Sequence, residues 1–376
     1  MIDYCTRCVM PVTKPDLELD SEGVCSACRA YERRAAVNWE ERERELRALF
    51  DKHRGDGSWY DCMVPVSGGK DSTFQLMTCL KYGMTPLAVT GTTCELSDIG
   101  RANIENLQRM CDHVEVTTNR MVRAKMNRIA LEEVGDISLP EHLSIFTIPV
   151  RAAVAYNIPL IVWGENSQNE YGGPAASQEK PVLTREWLER FGGLLGMTPE
   201  SFVGKRGIQQ RDIVAWQYPT DKELARVGVT GLFLGHYIPW DGMTNAMFSQ
   251  AHGLTTYPRA VEGSLVGYEN LDNHQTGIHD YFCYLKYGFG RVTAQVCLQI
   301  RRGRLSRADA VDIVRERDGA FPWTCLGRPI EQTLDPLGLT VRDFMDICDS
   351  WTSRELFGAG IERRPDGSPR LLYEVV

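Results

Sequence analysis

Val64, Pro65, Val66, Ser67, Gly68, Gly69, Lys70, Asp71 and Ser72 carry an apolar run through two glycines directly into a segment with Phe74, Leu76, Met77 and Leu80. A chain with this order must end a strand, turn tightly and begin a helix. That geometry gathers free amide N–H groups and the positive end of a helix at one point, which suits a phosphate. Lys70 adds a positive charge, and Ser67 and Ser72 add hydroxyl donors. Asp71 would repel phosphate directly, so its role is to hold Mg2+ or to orient the loop. An ordinary strand-to-helix turn is the plain alternative, and the length of the matching string disfavours it. The G-x-x-x-x-G-K-[ST] phosphate loop is absent.

Strand-like runs at Asp61 to Val66, Pro86 to Thr92, Val114 to Thr117, Pro159 to Trp163 and Leu232 to His236 alternate with helical stretches. The clearest of these helices are Ser72 to Tyr82, Arg101 to Met110 and Met121 to Glu133. Short apolar strands separated by helices predict an α/β fold with a parallel sheet covered on both faces. Ligands of such sheets bind beyond the carboxyl ends of the strands. Upstream, Trp39 to Arg54 is densely charged with Leu46, Leu49 and Phe50 on one side, and reads as a surface helix followed by a linker at Gly55 to Gly57. After about residue 240 the pattern turns aromatic and helical, with helices at Ser306 to Arg317 and Val341 to Trp351. The expected segments are therefore 1–38, 39–57, 58–240 and a helical substrate or partner region at 241–376.

Cys5 and Cys8 form one C-x-x-C pair, Cys25 and Cys28 a second, with sixteen residues between Cys8 and Cys25. Two tight turns that each aim two sulfurs at one ion complete a closed tetrahedral zinc shell, so a structural Zn2+ knuckle is predicted at the N-terminus. An iron–sulfur cluster is the residual reading. The other eight cysteines show no such spacing and read as buried small side chains.

Fifty acidic against 42 basic residues give a net charge of -8, which carries no general footprint for nucleic acid. The start of the chain shows no charged-then-apolar leader, and no apolar run approaches the length of ~18 residues needed to cross a bilayer. A cytoplasmic protein with no membrane or nucleic-acid partner is expected.

Three further segments lie where ligands are expected or combine polar with aromatic groups. Gly164, Glu165, Asn166, Ser167, Gln168, Asn169, Glu170 and Tyr171 follow the strand ending at Trp163; His236, Tyr237, Trp240 and Asp241 follow the next. The third runs from Asn273 through His279 and Tyr281 to Lys286 and Arg291. These carboxylates, amides, imidazoles and aromatic faces suit a polar, hydroxyl-rich substrate, with core packing as the alternative for the aromatic cluster.

The string Ser67 to Ser72 resembles the pyrophosphate-binding loop of the N-type ATP pyrophosphatases. That resemblance implies a five-stranded parallel sheet, ATP cleavage between the α and β phosphates, and adenine near Val66 and Val89 to Gly91. Together with the cysteine pairs, the Gly164–Glu165–Asn166 loop, the Gln275 to Tyr281 segment and the Ile300 to Gly319 stretch, the chain resembles the N-acetyl sugar amidotransferases of bacterial surface polysaccharide pathways from Cys5 to about Gly319. Ser167 departs from the proline expected in that family's loop.

The resemblance implies conversion of a sugar acetamido group to acetamidino through an adenylated imidate and ammonia, with ATP, Mg2+ and a structural Zn2+. The sugar would be a nonulosonic acid or a nucleotide-linked diacetamido uronic acid. Val66, Ser67, Gly68, Gly69, Lys70, Asp71, Ser72, Thr90, Gly91 and Gly164 would hold ATP, with Lys70, Asp71, Glu165 and His236 catalytic. Asn166, Gln168, Glu170, Tyr171, Tyr237, Trp240, Asp241, His279, Lys286 and Arg291 would meet the sugar. No cysteine stands in a glutaminase context, so ammonia would come free or from a separate glutaminase with a barrel subunit similar to imidazole glycerol phosphate synthase. A tRNA thiolase using Cys94 as sulfur carrier, and a zinc-ribbon scaffold with a nucleotide sensor, are the competing readings.

Overall fold

The computed structural model describes residues 2–372 apart from 175, 176, 178 and 179. The expected terminal segments thus include residues 1 and 373–376, which lie outside the described residues. Strands β1 (Cys62–Pro65), β2 (Pro86–Thr92), β3 (His113–Thr117), β4 (Leu160–Trp163), β5 (Val182–Leu183) and β6 (Thr230–Phe233) form one sheet in the order β3-β2-β1-β4-β6-β5. Five of them pair in parallel, and the expectation of a five-stranded sheet is corrected by β5, which adds a sixth, antiparallel, at the edge of β6. Two residues bounded by Pro181 and Thr184 carry too little pattern to be read as a strand. The last parallel strand also begins two residues earlier than expected and stops at Phe233, because Leu234–His236 turn into a 3-10 helix while Leu234 stays in the core.

Side chains alternate across the sheet and feed two cores. Met63, Leu87, Val89, Ile161 and Phe233 face one side, against α5 (Arg120–Val134) and α6 (Leu139–Tyr156). Cys62, Val64, Ala88, Leu160, Val162 and Leu232 face the other, against α2 (Trp39–His53) and α3 (Lys70–Lys81). Helix α6 escaped the sequence reading because it is apolar on most of its surface and contains Pro149; such a helix is buried and shows no amphipathic period. Helix α2 is more than a surface helix: Leu46 and Phe50 are fully buried beneath the sheet, and its charges occupy only the outer face.

The N-terminal knuckle rests on the C-terminal helices Arg291–Arg301 and Arg307–Arg317. Val9, Met10, Leu17 and Val24 share a core with Val292, Val296 and Val311, and Arg307 Nε donates to the Cys8 carbonyl at 3.0 Å. Among the described residues no helix is long and apolar enough to cross a membrane. Phe50→Ala should lower the unfolding free energy by about 3–5 kcal/mol in denaturant titration, the cost of emptying a closed core site; a surface helix would show almost none.

Candidate functional site

Helix α3 begins at the glycine pair. Gly69 is its N-cap and offers no side-chain cap, so the first amide groups of α3 stay open to a ligand. Gly68 adopts φ +82, and a Cβ there would lie 3.0 Å from the backbone nitrogen of Ile104, so the turn packs directly on α4 (Asp98–Leu107). Hydroxyls fix its shape: Ser72 Oγ donates to the Gly69 carbonyl at 3.1 Å and Thr73 Oγ1 to the same oxygen at 3.0 Å.

Lys70 is largely buried between two carboxylates, Asp71 Oδ2 at 2.7 Å and Glu269 Oε1 at 3.4 Å. Burial alone would depress its ammonium, but Asp71 and Glu269 outweigh that and hold it charged. Asn245 Nδ2 donates to Asp71 Oδ1 at 2.9 Å, and Gln295 Nε2 to Glu269 Oε2 at 2.7 Å. Glu269 was missed from sequence because an isolated glutamate in an irregular stretch carries no spacing signal.

Above the strand ends lies a cleft of about 520 Å³. At one end Val66, Ser67, Asp71, Ser72, Thr90 and Gly91 form its wall. Gly164 and Glu165, just past β4, also line it, together with Arg123, His142, Phe146, Trp163 and Trp187. Asp272 and Asn273 close it from the C-terminal region. They are held there because Ser97 N–H donates to the Asp272 carbonyl at 3.1 Å and His274 N–H to that of Glu95 at 3.0 Å. Burial first, and then the negative charge of Asp71, push the Glu165 carboxyl up to about 7.

Of the expected ATP and catalytic residues, Val66, Ser67, Asp71, Ser72, Thr90, Gly91, Gly164 and Glu165 meet in this cleft, with Gly68, Gly69 and Lys70 in the adjoining turn. His236 is not among the described wall residues; its ring stands edge-on to Tyr237. None of the ten expected sugar-contacting residues belongs to the described wall either. Asn166 caps the short helix Ser167–Tyr171 and donates to the Ser177 carbonyl at 2.7 Å. Gln168 packs on Gly173.

Glu170 pairs with Arg34 and with Arg302, joining the knuckle helix to the C-terminal region. Tyr171 is close enough to Glu269 and Arg291 for their charges to act on it. Tyr237 and Trp240 are core residues, Trp240 lying against Gly164 and Gly235. Asp241 caps the helix Gly242–Ala251 and pairs with Arg304. Arg291 forks onto Asp280, Lys286 Nζ donates to the Val134 carbonyl at 3.2 Å, and His279 pairs with Asp136. These groups build the frame behind the cleft. His142, Phe146 and Trp187 of the wall come from α6 and from Arg185–Phe191, neither of which carries a site signal in the sequence.

The four knuckle sulfurs are buried and all lie within 4.8 Å of one another, with Cys5–Cys28 at 3.9 Å and Cys8–Cys25 at 3.7 Å. Sulfurs bound tetrahedrally at ~2.3 Å from a zinc ion stand about 3.8 Å apart. Amide groups of Cys8 and Cys25 point at Cys5 Sγ, at 3.4 and 3.2 Å, as suits a thiolate. The cluster could hold a metal ion. Cys94, next to the cleft residue Thr93, has its thiol pushed up by burial, which disfavours it as a sulfur carrier.

Residues 254–362 match the family model of the WbpG-like C-terminal domain of LPS biosynthesis proteins. Over this stretch the chain is similar to that family. The match includes the Gln275 to Tyr281 segment and so supports the resemblance to surface polysaccharide enzymes; the WbpG-like stretch also supplies Glu269, Asp272 and Asn273 to the site. Among solved structures, NMN synthetase from Francisella tularensis is similar over 51% of this chain and 92% of its own, at 12% identity and a TM-score of 0.26. A comparison with curated proteins gives no match.

Glu165 makes a testable link between the site and stability. Its folded pKa exceeds the ordinary glutamate value of ~4.3, so the unfolded chain loses this proton first and stability falls as pH rises from there to about 7. Thermal melts of Glu165→Gln across that window should show a shallower decline than wild type. Parallel declines would place the titration elsewhere.

Proposed function

We propose that this chain is an ATP-dependent, AMP-forming amidotransferase that converts an acetamido group of a sugar to acetamidino. The observation that carries the reading is the single cleft that joins the Ser67 to Ser72 turn, Glu165 and two residues of the WbpG-like region. An ATP-binding turn facing an ionisable carboxyl inside one cavity suits adenylation followed by nucleophilic displacement.

The strand ends around Val66 and Thr90 to Gly91 would receive adenine, and the open amides of α3 the phosphates. Asp71 would hold Mg2+, which neutralises phosphate charge when bound. Lys70 would leave its carboxylate partners for the phosphates and stabilise negative charge that grows as pyrophosphate departs. The acetamido oxygen attacks the α-phosphorus, because an amide oxygen is otherwise too poor a leaving group to be displaced. Ammonia then adds to the imidate carbon, Glu165 takes a proton from the new nitrogen, and AMP leaves with the C–O bonding pair. A group ionising near 7 is matched to that task.

The ammonia would come free or from a separate glutaminase with a barrel subunit similar to imidazole glycerol phosphate synthase. Zinc in the cysteine cluster would be structural, since four sulfurs leave no open position.

The test is mass spectrometry of protein with ATP, Mg2+, ammonium and a panel of acetamido sugars. AMP should form together with a product lighter by the difference between an oxygen atom and an NH group. Lys70→Ala should slow both by roughly 10²–10³, the scale of losing one charge-stabilising donor. AMP release that requires tRNA and a sulfur donor would overturn the reading in favour of a thiolase.

Metal analysis of the purified protein should find tightly bound zinc, and Cys25→Ser should lose it together with a drop in melting temperature, because metal binding is coupled to folding of such knuckles. Full stability without metal would remove the structural role.

A further inference from the structure

His142, on the wall of the cleft, belongs to a titratable cluster that the reaction above does not use. Asp136, in the turn between α5 and α6, is buried and lies between two imidazoles. His279 Nδ1 is 2.8 Å from Asp136 Oδ1, and His142 Nδ1 is 3.9 Å from Asp136 Oδ2. The two rings meet edge to face with centroids 5.1 Å apart. His279 belongs to the WbpG-like stretch, whereas His142, on α6, is a wall residue of the cleft.

The surroundings give the two histidines different states. Burial would lower His279, but Asp136 and, behind it, Asp280 outweigh that and the nearby Arg291, so the ring holds its proton more tightly than an ordinary histidine. Burial likewise would raise Asp136, yet His279 holds it well below the carboxylate range. His142 is lowered by burial; Asp136 opposes that, and the charge of His279 reinforces it. Its other charged neighbours on the wall, Arg123 on α5 and Glu141 on α6, pair with each other at 3.4 Å. Gly193 leaves room for the ring, since a Cβ there would lie 2.9 Å from His142 Nδ1. His142 Nδ1, 3.9 Å from Asp136 Oδ2, is buried and has no hydrogen-bond partner among the described residues, so a neutral ring keeps its proton-accepting capacity for a ligand in the cleft.

We propose that His142 is a second base of the cleft, serving adenylation while Glu165 serves amination; the inference rests on the amidotransferase reading. As the acetamido oxygen bonds to the α-phosphorus, the bond from that phosphorus to the β-bridging oxygen breaks and its electron pair leaves with pyrophosphate. The N–H pair of the acetamido group moves into a C=N bond, and its proton passes to His142. Glu165 thus remains unprotonated for the ammonia step. His279 and Asp136 act on His142 through their charges, not by contact with the substrate.

Acceptor-dependent exchange of labelled pyrophosphate into ATP, measured without ammonium, isolates this half of the reaction. His142→Gln should reduce exchange by roughly 10² while ATP affinity, measured by calorimetry, stays at the wild-type value. His279→Gln should move the pH midpoint of exchange rather than abolish it. A His142→Gln protein that exchanges at the wild-type rate overturns the role of His142 and leaves the amidotransferase reading standing. Wild-type protein that exchanges with no acetamido sugar overturns both. Should His142→Gln fail to bind ATP, histidine NMR of the wild type decides: exchange must rise with deprotonation of His142, and a rate flat across that titration overturns the proposal.

Discussion

The buried Lys70 ammonium is the constraint around which the rest of the structure is arranged. A charge removed from water is tolerated only with counter-charges and hydrogen bonds at close range. Asp71 is next to it in sequence, but Glu269 arrives from almost two hundred residues later, and each carboxylate is in turn held by an amide, Asn245 or Gln295. The C-terminal region thus supplies part of the charge balance and hydrogen bonding of Lys70 and Asp71. The same dependence appears at the other side of the cleft, where Asp272 and Asn273 are stitched to the loop after β2.

Docking of that region rests on a second set of buried charges. Glu170 receives Arg34 from the knuckle helix and Arg302 from the C-terminal helix, all three mostly out of solvent. Removing one partner of such a set leaves the others uncompensated, so the loss of any one weakens the contact among all three segments. A knuckle that looks in sequence like an appendage is in this way part of the frame that aims Glu269 at Lys70.

What could be read from sequence divides along a physical line. The phosphate turn, the parallel strands and the cysteine cluster are local: strand, turn and helix signals lie within a few residues of one another, and C-x-x-C pairs declare their own geometry. Gly164 and Glu165 could be singled out because residues after strand ends in a parallel sheet face the ligand, whereas Gly91, inside β2, came only from the resemblance to the ATP pyrophosphatases. The rest of the wall was not legible. His142 sits in a helix without amphipathic period, and Trp187 belongs to a stretch between strands whose sheet partner, β5, is two residues long. The polar residues that read as substrate ligands, among them Glu170, His279 and Arg291, proved to be partners of other buried charges. A polar side chain near a strand end has two uses, meeting a ligand or satisfying a neighbour, and only the fold distinguishes them.

The frame residues still shape the chemistry. His279 and Arg291 are paired with Asp136 and Asp280, so they shape the field behind the cleft without belonging to its described wall. At the glycine turn, Lys70 is held by two carboxylates, and on the proposed reading a triphosphate with its metal would compete for both Lys70 and Asp71. Binding would then loosen Asp71 from the ammonium and change the charge that Glu165 feels, because Asp71 is the neighbour that raises it after burial. On the proposed reading, a carboxyl kept near neutrality in the empty cleft would become a stronger acid, and so ionise more fully, once Mg2+ neutralises Asp71. Adenylation and amination would be coupled through that one carboxylate, with no movement of the backbone required.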